Sequence, residues 1–313
     1  MTGTLGRRLL PLPAVLLGVS ALVFLLPRAS GLDTTRTVLR SRLADSVPDP
    51  AAAERVTREL GLDGPLWQQY LLWLGGALRG DLGLSFSTRT AVVPQLGAAL
   101  GVSALLTAGA LLLAGLVGVP AGVAAARRPG GPVDRAVTGL SVLGAAVPEF
   151  ILAPLLVLVF AVALPLLPAA GWDGPGAAVL PVVTLALFPA ALAAQLTRAE
   201  TADVLGALHI AAARAKGLSE RRVLWVHAGR RSLTSVTALS GVFFAGLLGG
   251  SVVVEVVFAV PGLGRLLYDA VLAQDLPVVQ GGLLVLVMIA VLTTVGTELV
   301  QLAVDPLARR AAR

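Results

Sequence analysis

Long apolar stretches alternate with short polar ones from end to end of this chain. Leu9–Pro27, Leu96–Ala126, Ala136 to about Leu166, Ala177 to about Leu196, about Leu233 to Val257 and about Val278 to Ala303 each approach or exceed the roughly 20 residues with which a helix crosses a bilayer. The second stretch, about 45 Å long as a helix, outruns a hydrocarbon core of about 30 Å, so it tilts or projects. It carries two G-x-x-x-G spacings, Gly97/Gly101 and Gly118/Gly122, which permit close helix contact. Pro148 and Pro154 interrupt the third stretch; Pro181 and Pro189 fall in the fourth. No small-x-small cleavage site follows the first stretch, so it reads as an uncleaved span. The pattern predicts an all-α polytopic membrane protein with six transmembrane helices.

The polar segments set the orientation. Glu200–Ser232 carries seven Arg, Lys and His residues between Arg214 and Arg231. A charge at the bilayer centre costs about 2.5–3.5 kcal/mol even on the lenient insertion scale, so this stretch is a loop in water on the positive, cytoplasmic side. Arg127, Arg128 and Arg135 flank a second inner loop around the Pro129–Pro132 turn, and Arg309, Arg310 and Arg313 mark an inner tail. Arg7 and Arg8 precede the first span. Fifteen of the 24 Lys and Arg residues fall on this inner side, and eight of the others lie in one long external segment, which weighs little in the count. Both termini are therefore expected in the cytoplasm.

The expected organisation is an N-terminus and first span at 1–28, an external segment at 29–95, a five-helix core at 96–305 with an inner loop at 198–232, and a tail at 306–313. Within the external segment, Trp67, Tyr70, Leu71 and Leu74 share one helical face with Trp73 beside it, as suits an interfacial helix.

Composition agrees with a membrane protein and excludes several chemistries. The 313 residues are 56% hydrophobic and 13% charged, against about 25% charged in soluble domains. The net charge of +6 falls in loops between lipid-length segments, which favours topology over nucleic-acid binding as its cause. There is no cysteine, hence no disulfide or thiolate metal site. The one lysine, Lys216, has no glycine before it, so no Walker A phosphate loop exists. His209 and His227 form no H-E-x-x-H pair, and no G-x-S-x-G elbow occurs. No catalytic, cofactor-binding or metal-ligating residue is expected in this chain.

The inner loop has a helix–stop–helix logic. Ala207–Lys216 is rich in alanine, Gly217 suits the left-handed position that ends a helix, Leu218 suits the apolar contact after it, and Ser219 is a good N-cap. Arg222 stands where a capping box would place Glu or Gln. The stretch A-A-A-R-A-K-G-L-S-E-R-R-V at Ala211–Val223 resembles the cytoplasmic coupling loop of ABC-importer permeases, nearest to the dipeptide/oligopeptide/nickel group. V-V-V-E-V-V-F-A-V-P-G-L-G-R-L, from Val252, is similar to a second pattern of that group, and Leu263–Ala273 after it can form a short amphipathic re-entrant or surface helix. Ala211 stands where the wider family has Glu, Ser235 where it usually has Pro, and Leu26-Pro27 runs into Arg28-Ala29-Ser30 where it often has L-P-G-D-P.

The resemblance implies the ABC type I importer permease fold in the bacterial plasma membrane. It implies a partnership with a similar second permease, two cytoplasmic ATPase subunits that bind ATP and Mg, and an external substrate-binding protein. Ala213, Arg214, Ala215, Lys216, Gly217, Leu218, Ser219 and Arg222 would then form the ATPase-coupling element. Peptide is the first cargo this implies, with nickel and other small solutes as alternatives. Three acids lie near lipid depth, Glu149, Glu255 and Glu298, and such acids are often functional. Glu149 and Glu255 are candidates for the translocation path; the plainer reading of each is a helix-end acid with a hydrogen-bond partner. A proton-coupled carrier relaying through these acids is the rival of a different class, although such carriers often show internal repeats and none is seen here.

Overall fold

In the computed structural model, residues 12–29 and 64–304 are described. Arg7, Arg8, residues 30–63 of the external segment, the tail from residue 305 and the side chain of Glu298 lie outside the described residues. The elements in chain order are α1 (Leu12–Ala29), α2 (Leu66–Leu78), α3 (Val92–Ala126), α4 (Pro132–Ala146), α5 (Glu149–Leu156), α6 (Pro175–Leu205), α7 (Leu208–Ala215), α8 (Glu220–Arg222), α9 (Gly229–Gly250), α10 (Val252–Val257), α11 (Leu263–Leu272) and α12 (Leu276–Val304). Helix α5 widens into a π-helix over Val157–Ala163, and α8 into another over Val223–Ala228. The isolated bridge Leu84–Ala91 is the sole β-pairing among the described residues.

By length and apolarity, α3, α6 and the Leu276–Thr297 part of α12 can each cross a membrane, and α4 with α5 makes a fourth span if the bent pair counts as one. Helix α1 and the Ser235–Gly250 part of α9, at the first and fifth expected spans, are shorter apolar helices. Helix α6 runs to Leu205, nine residues past the end read from the sequence, so Arg198–Leu205 continues a span where a loop was expected. Good helix formers, Ala193, Ala194, Gln195 and Leu196, lead into Arg198, and no glycine or proline interrupts before Gly206.

The third expected span is bent by 101°. The bend falls at Val147-Pro148 alone, whereas Pro154 stays inside α5. Proline lacks an N–H and forces its predecessor out of the helical region, and Val147 accordingly sits at φ −82°, ψ 115°.

The described chain falls into two compact units, one of residues up to Gly101 with Arg265–Val291, the other of Val102–Gly264 with the residues from Leu292. In the first unit, α1 and α2 meet through aromatics: Phe24 lies edge-on to Tyr70 at 5.4 Å and 5.8 Å from Trp73. The Ser20 and Tyr70 hydroxyls share a 2.7 Å hydrogen bond. Trp67 and Leu71, placed by sequence on the same face as Tyr70, are exposed. The unit also holds a buried polar latch. Asp275, just before α12, accepts from the Ser85 hydroxyl and from the amides of Phe86 and Ser87, both at 3.1 Å.

In the second unit, α6 is the central post, packed by α4, α5, α9 and α10 and, at Gly118 and Gly122, by α3. Small residues let the backbones close in. A Cβ on Gly118 would lie 2.6 Å from the Ala190 carbonyl oxygen, and one on Gly122 would lie 2.5 Å from that of Ala194. Of the two G-x-x-x-G spacings, this one is a helix contact; Gly97 and Gly101 have nothing within 4 Å. An apolar cluster around Leu106, Leu185, Leu247 and Phe258 fills the rest of the interior.

Candidate coupling site

The hairpin that holds the candidate coupling residues begins where α6 ends. Only Gly206 and Ala207 separate α6 from α7. Helix α7 closes as its sequence requires: Gly217 sits at φ +80°, the Leu218 amide donates to the Ala213 carbonyl (3.2 Å), and the Gly217 amide donates to that of Arg214 (2.9 Å). This pair of reversed bonds is the Schellman arrangement. Leu218 then turns its side chain back onto buried Val204, Ile210 and Val223, so the hairpin has a small apolar core of its own.

Ser219 does occupy the N-cap position of α8, at φ −67° and ψ 144°, yet its side chain caps no amide. A different contact holds the two arms. Arg214 donates to Glu220 through Nε (2.7 Å) and Nη2 (3.1 Å), a forked clasp across the Gly217 turn. The Glu220 carboxyl is held below its ordinary value of 4.5, first by the Arg214 hydrogen bond and further by the charges of Arg214 and Arg127. The clasp is therefore ionised throughout the neutral range and opens only as pH falls through that depressed value. Ala215 is the last residue of α7; Lys216 and Arg222 are exposed, as is Leu208 at 89%. A cavity of about 520 Å³ lies beside the clasp, lined by Arg127, Arg128, Leu205, Arg214, Glu220 and Leu224 among others.

The two candidate path acids have different surroundings. Glu149 is the first residue of α5, directly after the bend, and is half-buried. Its helical neighbour Ala153 is fully buried in the apolar cluster, so Glu149 stands at the end of the inward face of α5. Glu255 is fully buried. It accepts from the hydroxyls of Ser103 (2.6 Å) and Ser251 (2.8 Å), and the Leu263 amide donates to Ser103 Oγ (2.8 Å). A Cβ on Gly262 would collide with the Glu255 carboxyl, and one on Gly264 would lie 3.0 Å from Oε2. The glycines of the P-G-L-G stretch are thus the residues that let a turn close over a buried carboxylate.

A buried ion pair between α4 and α6 is a contact the sequence pattern did not foretell. Asp134, on the first turn of α4, is buried and ion-paired to Arg198 of α6. Arg198 donates through Nε to Oδ1 and through Nη2 to Oδ2 (2.8 Å), and the Gly130 amide adds a bond to Oδ2 (2.7 Å). The available signal was an isolated arginine in an alanine-rich helix and an isolated acid beside a turn.

Comparison with known proteins places this architecture. Residues 118–310 match the family model of the binding-protein-dependent transport system inner membrane component. The chain belongs to that family: it is a multi-pass cell-membrane protein, the permease component of an ABC importer. It is 38% identical over 317 aligned residues to a putative peptide transport system permease protein of Brucella abortus (strain 2308), with 99% of each chain covered. It is 37% identical to the dipeptide transport system permease protein DppB of Lactococcus lactis subsp. cremoris (strain MG1363), over 83% of this chain and 86% of that one. It is also 37% identical to the glutathione transport system permease protein GsiC of Escherichia coli (strain K12), with 97% of each covered. The fold is shared with an inward-facing structure of the MetNI methionine ABC transporter, at TM-score 0.57 and 20% identity, over 67% of this chain and 96% of that one.

Proposed function

We propose that this permease carries short peptides inward, and that the hairpin from Leu208 to Arg222 is where separate ATPase subunits push on it. The observation that carries the reading is mechanical. A short helix, closed by Gly217 and clasped by Arg214–Glu220, follows the continuous helix α6 after two residues. A body of that kind transmits displacement without dissipating it in a loose loop. Ala213 and Leu218, with the Arg214 clasp, give the hairpin its shape, while Ala215, Lys216, Ser219 and Arg222 present its exposed outer surface. The peptide cargo is supported by the names borne by the relatives at 37–38% identity.

In this reading the chain hydrolyses no ATP itself. ATP and Mg bind the two ATPase subunits, a second, similar permease completes the path, and an external binding protein delivers cargo. ATP biases two discrete helix packings, one open to each side. Glu149, beside the bend, is the acid we assign to the path. Glu255 we assign to holding the P-G-L-G turn.

The test is reconstitution of the complex in vesicles with a labelled dipeptide. Uptake should require ATP and the binding protein, and should survive collapse of the proton gradient. Uptake by the purified chain alone, or its loss with the proton gradient while ATP persists, would refute the importer mechanism in favour of a carrier.

A further inference from the structure

We propose that the Asp134–Arg198 pair is the positioning contact that carries movement of the hairpin to the bent span. The proposal rests on the coupling reading above and extends it to residues outside the hairpin. Arg198 lies seven residues before the end of α6, and α7 starts three residues beyond that end. Between Arg198 and Leu205 the helix is unbroken, with Thr201 and Val204 buried, so a displacement of α7 reaches Arg198 through a stiff rod.

Arg198 also lies beside the close crossing of α6 and α3 at Gly122. A Cβ on Gly122 would lie 2.9 Å from the Arg198 backbone nitrogen. Its guanidinium then reaches a third helix. Asp134 takes both fork nitrogens, and the Gly130 amide donates to Oδ2, the oxygen that Nη2 also meets, so the carboxylate is held by its own turn as well as by the arginine. A forked pair sets angle and register together, which a sliding apolar contact or a point charge does not. Helix α4 leads from Asp134 directly to the 101° bend and, across it, to Glu149. The chain of contacts is therefore α7, α6, Arg198, Asp134, α4, bend. Helix α4 also packs along α6, with Gly144 against Leu187 and Ala191, so the ion pair fixes the register of a contact that is otherwise apolar.

The experiment uses the complete importer with its ATPases and binding protein in proteoliposomes, and scores dipeptide uptake per ATP hydrolysed. The variants are Arg198→Lys, which keeps the charge and loses the fork, and Asp134→Asn combined with Arg198→Gln, which leaves no orphaned charge that could by itself prevent folding. Both should assemble and hydrolyse ATP within about twofold of wild type, while uptake per ATP falls about tenfold, inside the usual range of coupling between sites. Unchanged uptake per ATP in the double variant would overturn the proposal. So would loss of both variants from the membrane, or a parallel fall of uptake and hydrolysis, since either makes the pair a folding contact only. If the wild-type complex itself fails to couple uptake to ATP, the importer reading fails first and takes this proposal with it.

Discussion

Replacing Gly217 with valine isolates the hairpin's backbone from its side chains. Nothing stands within 4 Å of the position a Cβ would take, so the valine meets no clash. Its cost is the backbone: φ is +80°, where an L-residue loses about 1–2 kcal/mol, with β-branched residues the least tolerant. If the chain relaxes out of that region instead, the Leu218 and Gly217 amide bonds to Ala213 and Arg214 go, at about 1 kcal/mol each. Either way about 2 kcal/mol is lost, enough to shift the closed hairpin's population up to about 30-fold and far less than global unfolding requires. Gly217→Val should therefore reach the membrane in normal amounts and retain its helices, yet lose ATP-driven uptake. Gly217→Asn, which visits the left-handed region readily, should keep most of it. The assay is dipeptide uptake in vesicles beside membrane yield and ATP hydrolysis. Wild-type uptake by the valine variant would refute the assignment of this turn to coupling.

Two further expectations concern the helix seam and the Asp275 latch. Gly122→Val should destabilise the purified protein by about 1–3 kcal/mol, because the new side chain meets the Ala194 carbonyl and Thr197; Gly97→Val, in open space, should leave the melting temperature unchanged, and equal effects in a thermal scan would contradict the packing account. Asp275→Ala strands the Ser85 hydroxyl and the Phe86 and Ser87 amides, at about 1–3 kcal/mol for each group left buried, so hydrogen exchange should quicken at residues 85–88 first. Protection that persists there would mean that the loop is held by other contacts.

Much of this was legible in the residues. Gly217 was readable because a helix stop has local rules: alanines before it, an apolar residue after it, and a backbone angle that glycine adopts without strain. The bend at Pro148 followed from proline's covalent geometry, although Pro154 carried the same warning and did not break its helix. Ser219 showed the limit of such rules. Its position was right and its bond absent, with the Arg214–Glu220 clasp holding the turn instead. Glu255 was visible as an unusual acid at lipid depth, but its partner serines lie 152 and 4 positions away, and only the latter lies within reach of a local pattern.

The sequence by itself determined the membrane class and the closing turn of the hairpin. Each depends on composition or on neighbours within one helical turn, where energies are set by solvent, charge and backbone geometry. Tertiary structure alone decided that Gly118 and Gly122 form a seam while Gly97 and Gly101 do not, that Asp134 meets Arg198, and that Glu255 meets Ser103. These contacts join positions dozens of residues apart. Which of them form depends on how whole helices cross, and no short pattern in the chain encodes that angle.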